Sequence, residues 1–180
     1  AVHIRVTATL HPAKGKQPPK AAWAIAVEDL DEAGRATARM EAAAAIATEA
    51  THGPGHPACQ ATRHTWQVAH QVAVAKGLRS AAQHRRRGRP IVLTVHNVTA
   101  VRDLQPRRAG ARRRTSHGQL ARNNLSKLQE LNARPGVTVT VRADAGPQPA
   151  RLQRLADQAA RSGDLRSRHP ADCASHANAP

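Results

Sequence analysis

Thr65–Val95, TWQVAHQVAVAKGLRSAAQHRRRGRPIVLTV, is the stretch on which the reading of the whole chain turns. Trp66, Ala69, Ala73, Gly77, Leu78 and Ala81 recur at spacings of three and four, which places them on one face of a helix. Thr65 stands where a hydroxyl can cap the first unpaired N–H groups. The pattern frays through His84–Arg89, and Pro90 ends it. Ile91–Val95 follows as a short apolar run rich in β-branched residues, the signature of a buried parallel strand.

Upstream the period changes to two. Val2–Thr7 alternates with Val2, Ile4 and Val6 on one face, and a second strand is expected over Ala21–Val27. His11–Lys20 is a loop of Pro, Gly and Lys, and Asp29–Gly34 supplies turn chemistry. Residues 35–50 are Ala-rich and favour helix by propensity, yet a hairpin return from the second strand demands a third; the start is read as strand. Thr51–Ala58 reads as loop.

Downstream, a brief helix is expected over Val98–Leu104, then a basic linker over 105–115. Ser116 and Gln119 form a capping-box pattern, opening a helix that carries Leu120, Leu125, Leu128 and Leu131. Val137–Val141 alternates as a last strand. A final helix presents Leu152, Leu155, Ala156 and Ala159 before Gly163. Residues 164–180 read as a disordered tail. Strands first, then helices and strands in alternation, predict an α/β domain over 1–163: a mixed sheet flanked by helices, with a loop insertion around 48–63.

Charge narrows the function. The chain has 28 Lys and Arg against 12 Asp and Glu, a net +16, and 15 of the basic residues with only two acids lie between Lys76 and Arg134. Glu28, Asp29, Asp31, Glu32, Glu41 and Glu49 sit in the first third. Such asymmetry produces a one-sided positive field that attracts polyanions, above all phosphate backbone. A membrane surface fits less well, because the basic runs lack an apolar helix face with aromatic anchors. With no Phe or Tyr and only Trp23 and Trp66, stacking platforms are scarce, so backbone contact is favoured over base reading. Cys59 and Cys173 make no disulfide framework, and no signal-peptide pattern opens the sequence, so a reducing, cytoplasmic setting is expected.

The order of elements resembles the ribonuclease H family, and three local stretches carry the likeness. Ala69-His-Gln-Val-Ala-Val-Ala-Lys-Gly-Leu78 is similar to the family's first-helix pattern Ala-Glu-x-x-Ala-x-x-x-Gly-Leu. Val139-Thr-Val-Arg-Ala-Asp-Ala-Gly146 resembles its last strand and the loop after it, and Leu152-Gln-Arg-Leu-Ala156 its final helix. The resemblance implies three antiparallel strands followed by parallel ones, and a site where four carboxylates hold two Mg²⁺ ions to cleave the RNA strand of RNA/DNA hybrids. Carried over position by position, those four carboxylates fall at Ala8, His70, His96 and Gln153, and the family's loop His falls near Asp144. None of the four metal-holding positions is acidic. The fallback is Glu41, in Arg39-Met-Glu-Ala-Ala-Ala-Ala-Ile46, which matches the start of the first helix on an alternative alignment and leaves the other three positions empty.

The expectation is therefore a binding domain of ribonuclease H-like fold with no catalytic residues and no cofactor; Mg²⁺ enters only on the alternative of a divergent nuclease. Its phosphate contacts are expected from Arg85, Arg86, Arg87 and Arg89, from Arg107, Arg108, Arg112, Arg113 and Arg114, and from Arg122 and Lys127. Partners are RNA, DNA or a hybrid, with a ribonucleoprotein assembly as a further alternative. His70 and His96 are the weak candidates for a soft metal, read as polar filling because zinc takes at least three protein ligands as a rule. His52, His56, Cys59 and His64 fit no zinc spacing, and both tryptophans are expected in the core.

Overall fold

The computed structural model describes residues 1–53, 55, 56, 59, 65–106 and 116–166, with 116 and 117 as backbone alone. Five strands, β1 (Val2–His11), β2 (Lys20–Leu30), β3 (Ala36–Ile46), β4 (Ile91–Val95) and β5 (Val139–Ala143), form one sheet in the order β3-β2-β1-β4-β5. β1, β2 and β3 pair antiparallel, while β4 runs parallel to both β1 and β5. The expected mixed sheet, antiparallel and then parallel, is present.

Five helices are described: α1 (Glu49–His52), α2 (Trp66–Arg85), α3 (Val98–Arg102), α4 (Ser116–Ala133) and α5 (Ala150–Ser162). The Thr65 hydroxyl accepts from the Val68 N–H at 3.1 Å, capping α2 as its sequence predicts. Gly163 closes α5 at φ +67, a left-handed conformation that a side chain disfavours.

The alternation of β2 explains the layers. Trp23, Ile25 and Val27 point to one face and join the main core with Val6, Ala8, Val72, Leu78 and Leu93 beneath α2. Ala24 and Ala26 point to the other, where with Ala43 they meet Leu152 and Ala156 of α5. Alanine on both sides lets this helix lie close to the sheet, at the expense of apolar area buried per residue.

Four expectations change. Residues 36–46 are strand along their full length, because pairing with β2 satisfies their backbone and overrides the helical preference of alanine. This removes the alternative alignment: Glu41 lies on β3 opposite Ala26, not on a helix. The 51–58 loop begins with the last residues of α1. Trp66 is 42% exposed rather than core, whereas Trp23 is buried as expected. β5 lies two residues later than its alternation suggests. The Ser116 side chain, and with it the capping box, lies outside the described residues, as do residues 167–180 of the tail expected over 164–180; the carbonyl of its first residue, Asp164, accepts the Ala45 N–H of β3 at 2.8 Å.

Candidate functional site

The four positions at which the resemblance places carboxylates lie around the C-terminal end of β1. Val6 pairs with Val95 in the β1–β4 ladder, and the His96 N–H donates to the Val6 carbonyl at 3.3 Å, so Ala8 and His96 both lie just beyond the last paired residues. His70, on the first turns of α2, is fully buried and electrostatically coupled to His96. Gln153 of α5 reaches the same strand from the opposite face, its Nε2 donating to the Thr9 hydroxyl at 3.2 Å.

His70 makes no hydrogen bond from either ring nitrogen among the described residues. Its imidazole instead packs edge-on against the Trp66 ring at 4.6 Å. Burial, reinforced by His96, pushes its pKa down to about 4, so it is neutral at physiological pH. Burial also lowers His96, with Asp144 acting against the shift and Arg5 with it. Asp144 Oδ2 lies 3.8 Å from His96 Nδ1, and the Asp144 carboxylate is half exposed and accepts the Gly146 N–H at 2.8 Å.

Asp157 is the acid that sequence reasoning missed. It lies one helical turn beyond Gln153, on the α5 face that meets β1. The Thr9 hydroxyl donates to it at 2.8 Å and Gln153 Nε2 at 3.2 Å, while His11 Nε2 lies 3.1 Å away. Burial alone raises a carboxyl, but the hydrogen bonds from His11, Thr9 and Gln153 outweigh it and hold Asp157 below the usual carboxylate range. The signal was available: Thr9 and His11 share one face of β1 by period two, and Gln153 and Asp157 share one face of α5.

This donor set does not fit Mg²⁺, which requires several oxygen ligands in a near-octahedral shell. Ala8 offers no ligand, His70 and His96 offer imidazole nitrogens, and the Gln153 amide and the Asp157 carboxylate are bonded to each other. Among the described residues no three His, Cys, Asp or Glu side chains come together as a metal cluster. Glu41 is not free to help: its buried carboxylate takes the Arg151 guanidinium at 2.7 Å and Arg39 Nε at 2.9 Å, on the α5 face of the sheet. In the other cluster, the His52 and His56 rings lie 5.2 Å apart and Cys59 is a free, half-buried thiol, while His64 is outside the described residues.

The basic residues separate into two kinds. Arg85 turns inward and fixes α2 to the turn after α4, donating to the carbonyls of Arg134 at 2.6 Å, Pro135 at 3.2 Å and Val137 at 3.2 Å. Arg89 pairs with Asp29, Arg122 bonds to Gln119, and Lys127 pairs with Glu130 at 3.2 Å. Arg86 and Arg87 are exposed and have no ion pair among the described residues. Arg107, Arg108, Arg112, Arg113 and Arg114 lie outside them.

No family model matches the chain, and no curated protein matches it by sequence. Solved structures do. LC9-RNase H1, described as a type 1 RNase H with the type 2 active-site motif, superposes with a TM-score of 0.60 at 15% identity, over 90% of this chain and 72% of that one. The prototype foamy virus protease-reverse transcriptase gives 0.57 at 12% identity over 90% of this chain, which spans only 20% of the viral protein's length. LC11-RNase H1 in complex with RNA/DNA hybrid gives 0.50 at 13% identity, over 90% and 98% of the two chains. At such identities the likeness is one of fold.

Proposed function

We propose that this chain, whose fold is that of ribonuclease H, binds nucleic acid without cutting it, holding the phosphate backbone of a duplex or RNA/DNA hybrid through its basic residues. The observation that carries this reading is the chemistry of the four pseudo-site positions: Ala8, His70, His96 and Gln153 hold no carboxylate, in a chain of net +16. Two-metal hydrolysis needs a cage of anionic oxygens to hold both ions and to balance their charge. A neutral, buried His70 beside His96 supplies neither. Binding needs only positive potential, which the charge between Lys76 and Arg134 provides.

The named structural neighbours support the class of partner, since one was solved with an RNA/DNA hybrid and another foamy viral protease-reverse transcriptase structure with dsDNA. Within the Arg85–Arg89 run, the exposed Arg86 and Arg87 are the residues available for phosphate, together with the Arg107–Arg114 linker.

Titration of binding against salt tests the proposal. With labelled hybrid, double-stranded DNA and double-stranded RNA, log affinity should fall linearly with log salt, by about 0.9 per phosphate neutralised on B-DNA, with little dependence on base sequence. Binding that stays constant from low to high salt would contradict it.

A further inference from the structure

Away from the pseudo-site, the described residues form a concave surface on the α2 side of the sheet. The groove between the C-terminal half of α2 and the middle of α4 encloses about 390 Å³ and is lined by Arg79, Gln83, Arg86, Asn123, Asn124 and Lys127, with apolar backing from Ala75, Leu78 and Ala82. No acid is among these lining residues. We propose that this groove is a backbone-phosphate site, extending the nucleic-acid surface proposed at Arg86 and Arg87 along α2 toward Arg79 and across to α4; it rests on the binding function proposed above.

The first argument is charge. Arg79 and Arg86 come from one wall, two turns apart on α2, and both are exposed with no ion pair among the described residues. Lys127 faces them from α4, only partly offset by Glu130 at 3.2 Å. Gln83 and Asn123 add neutral donors between the cations. Arg79 and Arg86, which have no ion pair among the described residues, repel each other and Lys127, and a bound anion relieves that repulsion. Partial burial, with a smaller contribution from Arg79, lowers the Lys76 pKa.

The second argument is rigidity. Asn124 forms the floor and is buried, its Nδ2 donating to both the carbonyl and the side-chain oxygen of Gln71 at 2.9 Å. Gln71 in turn donates to the Ala100 carbonyl at 3.1 Å. This amide network locks α2, α3 and α4 together, so the two walls that carry the cations are fixed relative to each other before any ligand arrives, and only the side chains themselves remain to be ordered.

The third is distance. Arg79 and Arg86 lie 9 and 16 residues beyond His70 on one helix, about 14 and 24 Å along its axis at 1.5 Å per residue. A backbone contact there is separate from the pseudo-site, and it lengthens the footprint by roughly the length of α2's second half.

The test is a salt titration with an RNA/DNA hybrid, using the whole chain and three variants whose folding is checked by circular dichroism. Arg79→Gln/Arg86→Gln/Lys127→Gln should reduce the slope of log affinity against log salt by about two to three, at roughly 0.9 per lost phosphate contact. Arg79→Lys/Arg86→Lys should keep the parent slope, because charge and not packing is at work. Arg112→Gln/Arg113→Gln/Arg114→Gln serves as the comparison for the linker. An unchanged slope in the groove variant, with a salt-dependent parent and a reduced slope in the linker variant, overturns the groove while leaving the binding function in place. A parent chain with no salt-dependent binding overturns both. If the groove variant instead loses binding only to phosphatidylserine vesicles and keeps the hybrid slope, the groove is a lipid site and the proposal fails.

Discussion

His70 occupies the position at which the resemblance places a catalytic glutamate, yet it is sealed under Trp66 with no hydrogen bond among the described residues. Its folded pKa of about 4 lies below the 6.5 of a free imidazole, so between those values the unfolded chain binds a proton that the folded chain does not. Stability is therefore full above about pH 6.5 and falls as pH drops toward 4. The shift corresponds to a loss on the order of 3 kcal/mol across that window. Urea midpoints measured at intervals from pH 7.5 to 4 should show this decline, and His70→Leu should flatten it. An equally steep decline in the variant would assign the effect to His3, His84 or His96, which are also lowered by burial. Trp66 shares the helical period of the α2 core residues, but it stands at the first position of the helix and is left 42% exposed.

Among the elements, α2 covers the main core, and its Gly77 faces β1 and β4 directly. A Cβ added there would lie 2.6 Å from Leu93 Cδ1 and 3.0 Å from Val6 Cγ1, both fully buried. Alanine is the better helix former by about 1 kcal/mol, but overpacking a closed core costs about 1–3 kcal/mol. Gly77→Ala should thus lower the melting temperature; a rise would show that Leu93 can move aside. This glycine was visible in the sequence as part of the Gly-Leu pair, and so were the caps and strands around it, because α2 and β4 combine a clear period with unambiguous stop signals. β3 was harder to read. Its eleven residues, which include Ala42–Ala45, favour helix by local propensity, and only the hairpin partner β2 makes them strand. The shared faces of Thr9 with His11 and of Gln153 with Asp157 were legible, but not that the two faces meet, since the Thr9–Asp157 contact joins residues 148 positions apart and depends on how α5 sits on β1. The fold was read from local periods, whereas the polar site depends on contacts between distant elements.

At the scale of the whole molecule, two features combine. The sheet order and crossovers are those of ribonuclease H, while the end of β1 where such a fold would gather carboxylates holds alanine, two buried imidazoles and an amide. The two acids nearby, Asp144 and Asp157, are not joined by a third His, Cys, Asp or Glu in any metal-holding group among the described residues. Positive charge is abundant, though part of it is structural, as Arg85 shows by fastening α2 to the turn before β5. On the proposed function, a nuclease fold is used here for binding. Its most direct measurement incubates saturating protein with a hybrid labelled on the RNA strand, in low salt with Mg²⁺ or Mn²⁺, and resolves the mixture on native and denaturing gels. Binding without cleavage predicts a retarded complex from which full-length RNA is recovered at every time point. Cleaved RNA whose formation is lost in Asp144→Asn or Asp157→Asn would contradict it.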